Sequence, residues 1–265
     1  KTDNERFRGA VSTYCIEAMM RDGKALQAGT SHYLGQNFAK AFGIEFQNKN
    51  GELEHAYQTS WGVSTRLVGA VVMGHGDEKG LVLPPKIAPI QIVIVPIYKN
   101  DDEKEAVLAC CKQICAELKP KYRVHLDDRD NFNPGHKFHH WEQKGVPIRL
   151  NIGPKDVAKN VVEVCRRDTG EKTRDVNRDD IAKVMFNLLA AIQQNMFDRA
   201  LLFRQENTLS VNSYDEFKQL LGEKNCFIEA YWAGSSDDEL KIKEETKATV
   251  RTIPFDQKHE EGKCF

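Results

Sequence analysis

The sequence predicts an α/β protein of more than one unit, and three observations carry that prediction. Residues 13–20, TYCIEAMM, alternate as a half-buried strand does. The run Pro89-IQIVIVPI is continuously apolar, which marks a strand covered on both faces. Ile181, Val184, Met185, Leu188, Leu189 and Ile192 recur at spacings of three and four, the stripe of a long amphipathic helix.

Taken in order, the TYCIEAMM strand ends in a turn at Asp22 and Gly23. In KALQAGTSHYLGQNFAKAFGIEF, small polar residues form a loop before a helix-like spacing of Tyr33, Leu34, Phe38 and Phe42, followed by a strand at Ile44 to Phe46. Asn48 to Glu52 reads as a hairpin turn, and Glu54 to Ser60 as a strand that delivers Trp61. Ser64 and Thr65 can bond the free amides of a first turn, so the apolar run Leu67 to Met73 is expected to be a buried helix with Arg66 at its mouth. A Gly-rich polar turn, Gly74 to Gly80, follows.

Beyond the buried strand, Asp101 to Leu118 is an amphipathic helix and YRVHLDDRD a strand. NPGHKFHHWEQKG is a short helix after a Pro-Gly turn, VPIRLNIG a strand, and NVVEVCRRDTGEKTRDV a hairpin turning at Thr169 and Gly170. Strands alternating with helices imply a small α/β domain with a mixed sheet. From about Asn195 a third unit is expected: a helix Ser213 to Leu221, a strand CFIEAYW, a helix Asp237 to Glu245 and a strand TVRTIPF.

Charge is balanced, 38 Lys plus Arg against 39 Asp plus Glu, so no global field draws the chain to nucleic acid and any such site is a local patch. No stretch approaches the roughly 20 apolar residues that cross a bilayer, and residues 1–15 lack the apolar region of a signal peptide. These features predict a cytoplasmic protein without a membrane partner. The cysteines number seven, odd and scattered, and Cys110, Cys111 and Cys115 lack metal spacing, so buried thiols are expected.

Several residues carry chemistry. Arg66, beside small residues that let a ligand near the backbone, suits a flat or phosphate-bearing ligand, although an arginine capping a surface helix fits the spacing equally. Gln27, Thr30 and His32 are polar groups among small residues, as in a binding loop, while a histidine so placed is also a common structural hydrogen-bonder. Phe138 and Trp141 offer faces for stacking bases, Glu142 can accept from a guanine Watson–Crick edge, and Arg149, Lys155, Arg166 and Arg167 can reach phosphates or stack. Trp141 is the more natural core residue of this set. His136, His139 and His140 lack the partners of a metal site.

GVSTRLVGAVVMGHGDEKGLVLPPKIAP resembles the third signature motif of class II aminoacyl-tRNA synthetases, in the form found in prolyl-tRNA synthetases of the archaeal and eukaryotic type. The Q-x-x-T-S-H pattern at Gln27–His32 and the stretch DRDNFNPGHKFHHWEQKGVPIRLNIGPKD are similar to the same family. The resemblance implies a chain from the later half of the enzyme: the end of an α+β catalytic domain with an antiparallel sheet over residues 1–88, an α/β anticodon-binding domain over 89–194, and a small α/β C-terminal extension over 195–265. It implies activation of L-proline by ATP, with Mg²⁺, and transfer to tRNA(Pro). Gln27, Thr30, Ser64 and Arg66 would then hold ATP, with Arg66 catalytic. His32, Ser60, Trp61 and Gly62 would line the proline pocket, and Phe138, Glu142, Arg149 and Lys155 would meet the anticodon, whose last two bases in proline tRNAs are guanines.

The family often carries a C-terminal zinc site of four cysteines. Here two of the expected positions are Ala233 and Asp238, with Cys264 remaining, so no structural zinc is predicted. Residues 1–58 resemble neither of the two earlier class II motifs, the first of which builds the family's homodimer interface. The resemblance therefore leaves three readings: a portion of a longer proline-activating homodimeric ligase, a non-catalytic tRNA-binding or regulatory paralogue, or a synthetase of the same subclass that charges another amino acid.

Overall fold

Two sets of contacts organise the computed structural model, which describes residues 1–256 and 264: residues 1–74 group with those from 203 onward, and residues 75–202 form a unit of their own.

In the first unit, β1 (Ser12–Met19) and β2 (Ala25–Gly35) form an antiparallel hairpin through the expected turn, where Gly23 has a φ of 78° and Asp22 accepts from the Lys24 amide at 3.1 Å. The helix α1 is short, Asn37–Phe42, and β3 (Glu45–Gln47) pairs with β4 (Leu53–His55) across the predicted hairpin turn. β5 (Gln58–Gly62) adds to β2, giving an antiparallel sheet of order β1-β2-β5. α2 then spans Arg66–His75.

Two expectations are corrected. QAGTSHYLG is strand rather than loop and helix, because pairing on both sides, with β1 and β5, stabilises an extended backbone more than the local spacing of Tyr33 and Leu34 favours a turn of helix. α2 forms where expected but is not buried: Val68 is 68% exposed, and no residue of the helix is fully buried.

The second unit is a five-stranded mixed sheet of order β10-β9-β8-β6-β7. β6 (Ile92–Pro96) lies at the sheet's interior, every residue buried, as its unbroken apolar run requires. α3 (Asp101–Leu118) starts where Asn100 accepts from the Glu103 amide at 2.9 Å, and its acidic first turn complements the helix dipole. β7 (Val124–Leu126) runs parallel to β6. α4 (Pro134–Gln143) opens with Pro134 in the first turn and the Asn133 side chain accepting from the His136 amide at 2.8 Å. β8 (Ile148–Ile152) is parallel to β6 on its other side.

The short α5 (Pro154–Lys159) had no prior expectation, though a proline after Gly153 and an Asp156 that bonds back to the Gly153 amide at 2.8 Å are its signature. β9 (Val161–Arg166) and β10 (Lys172–Asn177) close the sheet as the predicted hairpin, and the 26-residue α6 (Ile181–Glu206) packs its stripe on it. The core joins Ile92, Ile94, Leu150 and Val164 to Ile114, Met185 and Ile192. Cys111 belongs to this core, and burial, then the neighbouring thiols of Cys110 and Cys115, push its own thiol up to about 12.

Gly145 follows α4 with a φ of 70°, and a Cβ there would sit 2.6 Å from the Leu81 carbonyl oxygen. Gly170, in the β9–β10 turn, has a φ of 74° and open space around it. Gly145→Ala is expected to lower the stability of this unit by about 2 kcal/mol or more, against about 1 kcal/mol for Gly170→Ala, where backbone strain acts alone. Urea denaturation of the two variants measures the difference; equal losses would show that the Leu81 segment yields freely.

The remaining residues of the first unit comprise β11 (Thr208–Ser210), α7 (Tyr214–Glu223), β12 (Phe227–Glu229) and α8 (Ser236–Thr246). β11 was not anticipated; it pairs in parallel with β12. Residues 249–255, expected as a strand, are irregular: they form no ladder, and Arg251 instead donates to Glu17 on β1 at 2.7 Å. The α/β class is as expected, with a three-stranded antiparallel sheet, a five-stranded mixed sheet and two further two-stranded ladders.

Candidate functional site

In the first unit, strand pairing collects most of the residues singled out by the sequence. Thr30 stands opposite Gly62, and His32 opposite Ser60, so these four share one face of the sheet. Gln27 pairs with Glu17 beyond a bulge at Ala28. Arg66 starts α2 with its amide 3.3 Å from the Ser64 hydroxyl oxygen, and its guanidinium donates to the Gln27 carbonyl at 3.3 Å. The side chain is exposed, yet its charge is aimed at β2 rather than at open solvent.

The Trp61 side chain departs from this group. Paired with Ser31, it projects from the opposite face and is 77% exposed. His32 is half-buried, its Nδ1 3.0 Å from the Thr13 hydroxyl and its ring 4.7 Å from that of Phe7. A cavity of about 570 Å³ in this unit opens on Tyr14, Cys15, Glu17, Arg204 and Phe255, not on Arg66 or His32. Glu17 was not foreseen. Burial raises its carboxyl pKa, but bonds from Arg251 and Lys1 outweigh that and hold it below the ordinary range.

In the second unit, three of the four anticodon candidates converge. Phe138 and Glu142 lie one turn apart on α4, and the Arg149 guanidinium stacks 4.2 Å over the Phe138 ring while donating to Asn151 at 3.1 Å and to the Phe138 carbonyl at 3.4 Å. Lys155 is exposed on the first turn of α5, beyond the end of β8. Trp141 is buried, its indole N–H donating to Asp127 at 2.7 Å, so it anchors α4 and offers no stacking face.

Asp127 also accepts two bonds of 2.7 Å from Arg129, and its carbonyl accepts from the buried Lys137 ammonium at 3.1 Å. Burial alone would raise its carboxyl pKa; the bonds from Arg129 and Trp141 and the charge of Lys137 hold it well below the usual carboxylate range.

Arg166 and Arg167 are not available to phosphates. Arg166 grips Asp168 at 2.8 and 3.0 Å, and Arg167, 8% exposed, is bound to both oxygens of Asp77. In the C-terminal segment, Asp238 caps α8, bonded to the Ser235 amide at 2.9 Å, and the Cys264 sulfur lies 3.2 Å from the Ala233 amide. Among the described residues, no three His, Cys, Asp or Glu side chains gather as metal ligands, and no helix is long and apolar enough to cross a membrane.

The comparisons bear on both units. Residues 91–188 match the family described as "Anticodon binding domain", and residues 214–265 the family described as "Prolyl-tRNA synthetase, C-terminal". Proteins named proline--tRNA ligase from Chloroflexus aurantiacus, Christiangramia forsetii and Amoebophilus asiaticus are 52%, 52% and 53% identical to this chain over its whole length. The match takes in 55%, 54% and 54% of those proteins respectively, so the chain spans about half the length of the curated relatives it matches.

Proposed function

We propose, from the matches of residues 91–188 to an anticodon-binding domain and of residues 214–265 to a prolyl-tRNA synthetase C-terminal domain, that the chain belongs to the prolyl-tRNA synthetase family and is the later half of a proline–tRNA ligase of the archaeal/eukaryotic type. The supporting observation is the patch of Phe138, Glu142 and Arg149, in which an aromatic face, a carboxylate and a guanidinium converge inside the region that matches an anticodon-binding domain. The archaeal/eukaryotic assignment rests on the likeness of the Gly62–Pro89 and Asp128–Asp156 stretches.

The carboxylate of Glu142 accepts from a guanine Watson–Crick edge, Phe138 supplies a stacking face, and Arg149 stiffens that face and adds charge. Lys155 meets the RNA backbone. Glu142→Gln keeps the shape and replaces an anionic acceptor by a neutral one. It is expected to weaken preference for a guanine-bearing proline anticodon hairpin over its adenine-substituted form by roughly ten- to a hundredfold, the worth of a charge-assisted hydrogen bond. Filter binding of both RNAs measures it, and an unchanged preference would sink this assignment.

In the first unit, Gln27, Thr30, Ser64 and Arg66 are assigned to ATP, and His32, Ser60 and Gly62 to proline. Activation is an in-line attack of a carboxylate on the α-phosphorus, so the protein's task is to hold two anions and spread developing charge. Arg66 does this on the phosphate side. The described residues do not form a Mg²⁺ site by themselves; that ion commonly binds substrate phosphates with only one or two carboxylates, and here it is assigned to ATP. Trp61, on the other face of the sheet, reaches proline only if the pocket wraps the edge of β5. The uncovered apolar side chains of α2 fit a catalytic domain completed by further chain in a protein of about twice this length. The complete ligase is assigned to the cytoplasm as a homodimer. Proline-dependent pyrophosphate exchange tests the reading; no exchange with RNA preference intact would mark a non-catalytic paralogue.

A further inference from the structure

We propose that the Asp77–Gly80 turn, which lies upstream of the matched anticodon-binding region, belongs to the guanine-reading site, with Lys79 as a positioning residue for Glu142. The inference rests on the reading of Glu142 as the guanine acceptor and adds to it a residue outside the 91–188 match.

The Lys79 ammonium lies 3.3 Å from Glu142 Oε1. The turn that carries it is held at several points. Asp77 and Gly80 exchange both backbone hydrogen bonds at 3.0 Å, and the Lys79 amide donates to the Asp77 carboxylate at 2.9 Å. That carboxylate is also clamped by the buried Arg167, whose bonds hold its pKa below the ordinary range. Arg167 Nε donates in turn to the Glu142 carbonyl at 2.9 Å. Gly80, at φ 125°, lies so close to α4 that a Cβ would fall 2.7 Å from the Gln143 Cα, and the Leu81 amide donates to the Gln143 carbonyl at 2.9 Å. One short turn thus restrains Glu142 twice, its backbone through Asp77 and Arg167 and its carboxylate through Lys79.

The chemistry of the base explains why that matters. Guanine presents adjacent N–H donors on its Watson–Crick edge, and a carboxylate meets them well only when nearly coplanar with the ring. A solvent-exposed glutamate must give up several torsions to do so. A carboxylate has about four lone-pair sites. Lys79 occupies one on Oε1 and leaves the others for the base, with the carboxylate already oriented. Glu142 is 30% exposed and Lys79 62%, so the pair adds little to folding and acts through orientation.

The test compares the parent chain with Glu142→Gln, Lys79→Met and Lys79→Arg, each against an RNA hairpin bearing the proline anticodon and against the same hairpin with one guanine changed to adenine, for each of the two guanines. Lys79→Met is expected to cut preference for guanine about three- to tenfold at the position where Glu142→Gln acts, the cost of re-ordering one flexible side chain, with the adenine hairpin bound as before. Lys79→Arg is expected to restore the preference. Equal weakening toward guanine and adenine hairpins would reduce Lys79 to a phosphate contact and overturn the proposal, as would no change. If Glu142→Gln itself leaves the preference intact, the reading of Glu142 fails first; if only Lys79→Met does, the failure belongs to this inference alone.

Discussion

In a full-length synthetase carrying this segment, Arg66→Ala is expected to lower proline-dependent pyrophosphate exchange by roughly a hundred- to a thousandfold, the usual loss when one fixed donor to developing charge is removed. The guanidinium is already turned toward β2 by its bond to the Gln27 carbonyl, so on the proposed assignment it would meet the nucleotide with little reorganisation. Arg66→Lys is expected to recover little, since an ammonium cannot reproduce the planar fork. Binding of tRNA is expected to be unaffected by either change. Exchange within a fewfold of the parent for Arg66→Ala would remove the basis for assigning ATP to this face of the sheet.

Asp127→Ala is expected to cost the second unit about 3–5 kcal/mol, the range for breaking a buried charge pair by removing one partner. Against total stabilities of about 5–15 kcal/mol, that leaves the unit marginal or unfolded. The carboxylate is fully buried and ties together Arg129, Trp141 and, through its backbone, Lys137, so its loss strands donors on both the β7 loop and α4. The folded state holds this carboxyl below its unfolded pKa, so its contribution is complete above about pH 4 and fades as pH falls toward the folded value. The deficit of Asp127→Asn relative to the parent should therefore be constant near neutrality and shrink below about pH 4. Amide exchange of β6 across pH measures this, and a deficit that grows in acid would contradict the assigned sign.

How much of this was legible depended on how local the causes are. β6 is an unbroken apolar run, α3 an amphipathic stretch opening on Asp101 and Asp102, and α4 a short helix that takes in the Pro134-Gly135 pair expected as a turn, so all three were expected close to where they stand. QAGTSHYLG was misjudged because its conformation is set by neighbours on both sides, with β1 and β5, and not by its own residues. β11 is three residues long and exists only through pairing with β12. The convergence of Phe138, Glu142 and Arg149 was anticipated from family likeness, and the i to i+4 spacing of the first two from the helix itself. Arg167 looked like an exposed RNA ligand, and nothing local marks its attachment to Asp77, 90 positions earlier. The union of Lys79 with Glu142 is hidden for the same reason, as the pair is separated by 63 positions.

The cysteine sealed inside α3 has a practical side. A thiol held at about 12 within the core scarcely ionises, and the thiolate is the form that alkylating reagents attack. Cys111 therefore reacts only while α3 is detached from the sheet, and its labelling rate counts those excursions one molecule at a time. The second unit thus carries a native clock of its own opening, read by mass spectrometry of an unaltered polypeptide.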